Sequence, residues 1–190
     1  MTTVTIPAWN ALGLLPPIDT DSPVSFHRSP YTVSLKDVVM RFATSPERRA
    51  VLQGFLGYRH ALHQMGLQSG FQWLDGSFME DVETLEKRPP NDMDVVTFMH
   101  TPEEFNPSTG DLLVLQQNTA KKQFKVDAYM VEINLLPPEQ VVKHAAYWYS
   151  LWSHRRNQAW KGFLQINLNS GEDAEALEWL RQYDVKGAQL

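Results

Sequence analysis

Hydrophobic positions along the chain change period several times, and each change marks a candidate element. After Ser34 the run LKDVVMRFA has helical spacing, and Asp37 stands where a capping box places its acidic residue. A second, longer helix is predicted from Ser45-Pro46 through Leu52, Phe55, Leu56, Leu62 and Met65, with Gly66 as its stop. FQWLD then reads as a short strand. DMDVVTFM, after an acidic loop, reads as a second, carrying the β-branched residues that strands favour. GDLLVLQQNTAKK (110–122) has a helical pattern. QFKVDAYMVEI (123–133) alternates most cleanly. It sets Phe124, Val126, Ala128, Met130 and Glu132 on one face, and Lys125, Asp127, Tyr129, Val131 and Ile133 on the other. Pro137-Pro138 opens a long helix, KGFLQINL (161–168) is a fourth strand, and Ser170 to Asp173 caps a last helix through Leu177 and Leu180. Residues 1–30 hold five prolines and little periodicity, which predicts an extended arm. The order of elements predicts a mixed α/β or α+β domain over 31–190, with a sheet of about four strands flanked by helices. Its core is expected over 46–135 and a C-terminal helix-strand-helix over 137–190.

Composition narrows the class. With 190 residues, 43% of them hydrophobic, the chain has material for one real core. A net charge of −5 does not announce a nucleic-acid binder. With no cysteine, disulfides, iron–sulfur clusters and thiolate zinc sites are excluded. No apolar run reaches the length of a membrane span, and the first residues lack a basic leader, so a cytoplasmic protein without membrane association is expected.

One constellation carries chemistry. Asp92 and Asp94 open a predicted strand two residues apart, so alternation sends both carboxylates to one face, roughly 6–7 Å apart along the strand. Met93 and Val95 then face the core. Two parallel carboxylates repel, and burying them is costly unless a positive charge holds them. Mg²⁺ is bound through carboxylates of this kind together with substrate phosphates. Asp127, on the more polar face of the best strand, suits a third ligand. Gly76-Ser77 follows the strand FQWLD. Glycine permits a tight turn and close backbone approach, and a serine there can offer its hydroxyl and N–H to a phosphate.

Gly76-Ser77, then Asp92-Met93-Asp94-Val95, then Asp127 resembles the signature of the nucleotidyltransferase superfamily, which includes DNA polymerase beta, the CCA-adding enzymes and the minimal nucleotidyltransferases of toxin–antitoxin systems. GLLPPI, WLDGSF and RPPNDMDVV further resemble a group of small bacterial and phage proteins assigned to that superfamily. Fourteen residues separate Ser77 from Asp92, slightly more than the superfamily's commonest spacing. The resemblance implies an α+β nucleotidyltransferase fold with a mixed sheet, and transfer of an NMP from an NTP to an acceptor hydroxyl. It implies Mg²⁺ or Mn²⁺ held by Asp92, Asp94 and Asp127, with Gly76 and Ser77 holding the triphosphate. The acceptor would be RNA, such as a tRNA end, or a protein partner, in a toxin–antitoxin or phage-defence setting. Lys125 is added as a nucleotide contact, because it is expected on the strand face of Asp127.

The remaining polar residues are expected to be ordinary. Asp75 is read as tuning its turn, and Glu80, Asp81, Glu83 and Glu86 as a solvated loop. His60 and His63 are read as surface or packing residues. Arg48-Arg49, Lys121-Lys122 and Arg155-Arg156 are read as solvated charge, and the aromatic run Tyr147 to Trp152 as core or an oligomer contact. Two rival readings remain: a catalytically silent domain of the same fold that binds a nucleotide or a partner, and a structural interaction domain with an accidental Asp-x-Asp.

Overall fold

A computed structural model describes residues 5–187. In chain order it holds β1 (Tyr31–Thr32), α1 (Leu35–Phe42), α2 (Pro46–Gln64), β2 (Gly70–Asp75), a 3-10 turn at Ser77–Met79, α3 (Val82–Glu86), β3 (Met93–Met99) and α4 (Thr109–Val114). It continues with α5 (Gln117–Phe124), β4 (Val126–Glu132), α6 (Pro138–Trp152), β5 (Leu164–Asn167) and α7 (Asp173–Gly187). The sheet is open and mixed, in the order β1-β5-β2-β3-β4. Strand β2 runs antiparallel to both β3 and β5, while β3 and β4 are parallel. The fold is therefore α+β, with one strand more than the sequence predicts. The extra strand, β1, is two residues long and pairs parallel with β5.

Alternation along the strands builds two cores. Leu74, Met93, Val95, Val126, Ala128 and Ile166 face one way and pack against Val38, Phe42, Leu52, Phe55 and Leu180 of α1, α2 and α7. Trp73, Val96, Phe98 and Val131 face the other way, against Trp148 and Trp152 of α6. Each fully buried Phe or Leu contributes about 1.5–3 kcal/mol, so the first core dominates the stability. Ser34 caps α1 through a bond from the Asp37 amide, as the spacing predicts.

Four expectations change. The segment 123–133 is not all strand: Phe124 ends α5, Lys125 takes a left-handed conformation (φ 55°), and the strand begins at Val126. Its cause is tertiary, since Phe124 packs its ring on Tyr58 at 5.9 Å and its carbonyl against Gly54 of α2, where a Cβ would sit 2.1 Å away. The helix predicted over 110–122 is broken into α4 and α5. The acidic loop is ordered as the 3-10 turn and α3. Of the arm expected over 1–30, residues 1–4 lie outside the described residues. The rest has no helix or strand. Its first half is packed down, with Leu14 and Leu15 buried, Trp9 Nε1 donating to the Met79 carbonyl (2.8 Å) and the Gly162 amide donating to Leu15 O (2.6 Å), while Val24 and Phe26 are exposed. Among the described residues, no helix is long and apolar enough to cross a membrane.

Candidate functional site

Register brings the carboxylates together. Asp75 ends β2 opposite Asp94 near the start of β3, and Asp94 lies opposite Asp127 near the start of β4. The three form a row across adjacent strands, on the face that carries Trp73, Val96 and Val131. Asp92 lies two residues before Asp94, just outside β3. The row opens into a cavity of about 780 Å³ whose walls include Ser77, Tyr129, Trp148, Arg156 and Lys161. Gly76 makes the close approach possible. Its φ is 87°, and a Cβ there would stand 2.9 Å from the Asp94 carboxylate.

The members of the row differ in their partners. Asp75 is 2% exposed, and both its oxygens accept from Lys161 Nζ at 2.8 Å. Burial pushes Asp75 up, and Lys161 only partly offsets it. Burial pulls Lys161 down, but Asp75 and Glu80 outweigh it and hold the ammonium above its ordinary value. Glu80 also accepts from Arg155 Nε at 2.8 Å, and Arg155 reaches Glu86 at 2.7 Å. Asp127 accepts from Gln117 on one oxygen and from Lys121 Nζ (3.2 Å) on the other. The same ammonium meets Asp92 Oδ2 at 2.8 Å. Its bond to Asp92, followed by that to Asp127, holds Lys121 above its ordinary value.

Asp94 differs from the others. Among the described residues it has no hydrogen-bond or ion-pair partner for its carboxylate. Burial, then Asp75, Asp127 and Asp92, push it up to about 7. It is the middle carboxylate of the row, and Lys161, which is bonded to Asp75, offsets only a small part of the repulsion.

The sequence-predicted residues distribute as follows. Asp94, Asp127, Gly76 and Ser77 line one cavity. Asp92 is linked to them through Lys121 but lines a neighbouring hollow, together with Lys121, Lys122 and Lys125. Lys125 is thus not on the strand face of Asp127, because β4 begins after it. Asp75, read as a turn residue, is a buried member of the row. Glu80 is buried rather than solvated, and Glu83 pairs with buried Arg48 at 2.6 Å. Arg48 also donates to the Phe78 and Glu80 carbonyls at 2.7 and 2.6 Å, which pins the turn after Ser77. His63 packs as expected, on the Leu168 carbonyl at 2.7 Å. Trp148 and Trp152 are core, whereas Tyr147 is 57% exposed. Lys161 and Gln117 were not singled out by spacing, and nothing local to either residue marks it.

An all-oxygen donor set suits Mg²⁺ or Mn²⁺ rather than a soft metal. The Lys121 ammonium shows that one cation can meet both Asp92 and Asp127. Asp94 supplies a half-buried carboxylate with no direct ion pair among the described residues, which is the condition a metal relieves. The residues therefore fit such an ion in chemistry. Among the described residues, though, no three acidic or histidine side chains stand ready to grip one ion as they are.

Fold and site together define an α+β domain with a carboxylate-lined cleft at one end of its sheet. The chain matches the model of a family of unknown function, DUF6932, over residues 7–167, and belongs to that family. No curated protein and no solved structure matches it.

Proposed function

We propose that this protein is a nucleotidyltransferase in fold and activity, moving an NMP from an NTP to an acceptor hydroxyl with Mg²⁺ or Mn²⁺. The observation that carries this reading is Asp94: a half-buried carboxylate with no direct ion pair among the described residues, at the centre of a row over three strands, beside the Gly76-Ser77 turn and facing a cavity. Asp92, Asp94 and Asp127 would hold the metal. A bound ion would supply charge for the triphosphate and for the attacking and leaving oxygens. Ser77 and the Gly76 backbone would hold the β- and γ-phosphates. Arg156 replaces Lys125 as the nucleotide contact. It lines the cavity, and among the described residues it has no carboxylate partner. The acceptor oxygen attacks the α-phosphorus, the bond to the β-phosphate oxygen breaks, and pyrophosphate leaves. Asp127, beside Asp94, is assigned the proton of the attacking hydroxyl.

The acceptor is RNA or a protein partner, in a cytoplasmic toxin–antitoxin or phage-defence role. The net charge of −5 favours the protein, since a broad RNA surface would be basic. The second reading is a catalytically silent domain that binds a nucleotide or a partner. The capping of Asp75, Asp92 and Asp127 by Lys161 and Lys121 favours it.

The test is incubation with each labelled NTP, Mg²⁺ or Mn²⁺, and total RNA or cell protein. Transfer of label that disappears with Asp92→Ala plus Asp94→Ala is expected. No transfer to any acceptor, together with tight nucleotide binding, would sink the enzyme reading and leave the silent one.

A further inference from the structure

Helix α5 presents Gln117 and Lys121 one turn apart on the same face. Together they take both oxygens of Asp127, while Lys121 also holds Asp92. Two of the three carboxylates assigned to the metal are thereby tied to one helix of the same chain. The third, Asp94, is left free. Among the described residues the acid-rich row presents no ready group of three ligands. The clamp is not buried in the way the Lys161 pair is. The Lys121 side chain is 49% exposed, against 7% for Lys161. A half-exposed ammonium has water to return to and a flexible four-carbon stem. Its ion pairs are of the weakly stabilising, easily exchanged sort. The Lys161–Asp75 pair, almost wholly buried, has no such exit.

We infer that Lys121 is a displaceable internal counter-ion: its ammonium occupies the Asp92–Asp127 gap in the metal-free protein and swings out to the surface when a divalent cation enters. Lys121 is thus a positioning residue that holds the site closed, and Lys161 is its permanent counterpart. The inference rests on the proposed metal site but not on catalysis. A divalent ion carries twice the charge of the ammonium, and hard oxygen ligands favour it in the same gap. Entry of the ion turns two attractive contacts of Lys121 into repulsion.

Two measurements test this without any turnover. The first is amine-specific labelling of the wild-type protein, read by mass spectrometry, with Lys122 and Lys125 as internal references. Lys121 should label slowly without metal and several-fold faster in millimolar Mg²⁺, with the references unchanged. The second is Mn²⁺ binding, followed by the free-ion electron paramagnetic resonance signal. Lys121→Met keeps the stem and removes the charge, and should tighten Mn²⁺ binding by about tenfold; Lys121→Arg should not tighten it. Equal Lys121 labelling with and without Mg²⁺ would overturn the inference, and so would unchanged or weaker Mn²⁺ binding in Lys121→Met. Release of Lys121 without nucleotide transfer would keep the inference and remove the enzyme reading. Transfer with Lys121 still protected would do the reverse.

Discussion

Asp94→Asn isolates the residue on which the proposed site depends. In the folded chain Asp94 ionises near 7, against an ordinary value of 3.8. An acid whose folded pKa exceeds its unfolded value binds more protons folded than unfolded between the two. Stability therefore falls as pH rises from about 4 to about 7 and levels off above that. At about 1.4 kcal/mol per tenfold change, the gap corresponds to about 4 kcal/mol at the plateau. That is a ceiling, because water in the cavity screens part of the repulsion from Asp75, Asp92 and Asp127. Asparagine has nearly the same shape, carries no charge and can donate to Asp75 or Asp127. The variant should match wild type below about pH 3.5 and exceed it by about 2–4 kcal/mol at pH 8. Urea titrations at pH 5 and pH 8 check this. With an m-value of about 2 kcal/mol per molar, the midpoint advantage of the variant should grow by about 1 M between the two. Comparing variant with wild type cancels the titration of distant groups. A midpoint difference that does not change with pH, or a variant less stable at pH 8, would refute the claim that repulsion and burial at Asp94 outweigh what Lys161 returns. Loss of nucleotide transfer alongside a gain in stability is the pattern of a residue kept for function at the expense of folding.

Two other changes probe the surroundings of Asp94. Lys161→Met leaves the Asp75 carboxylate buried without its ammonium, and should cost about 3–5 kcal/mol at neutral pH; thermal unfolding at pH 7 should show it, with partial recovery in Lys161→Met plus Asp75→Asn. Gly76→Ala adds a Cβ at φ 87° and 2.9 Å from the Asp94 carboxylate, and should cost about 1–3 kcal/mol in a urea titration and disturb the Ser77 turn.

The local pattern made much of this molecule legible. The capping of α1 by Ser34, the start of α2 at Pro46 and the two-faced alternation of residues 126–133 each depend on residues within a few positions of one another. Backbone geometry is set over that same range, so period and capping chemistry read it directly. The Asp94–Asp127 juxtaposition is different: alternation gives the face of each carboxylate, but the register of β3 on β4, between residues far apart in the chain, sets one beside the other.

What the pattern missed came from contacts it does not carry. Asp75 looked like a turn residue because nothing near it reveals that it pairs in register with Asp94. Its partner Lys161 lies 86 residues on, at the head of a strand that joins β2 from the other side. Glu80 looked solvated, and Arg155 and Lys161 bury it. The alternation around Lys125 suggested strand, but the packing of Phe124 on α2 kept those residues helical up to the turn. The sequence by itself determined which residue types stand at the ends of which strands, because a side chain's direction follows from its own backbone. Only the tertiary structure decided which charges are paired and which one is not, because the cost of burying a carboxylate depends on what the rest of the chain brings within a few ångströms of it.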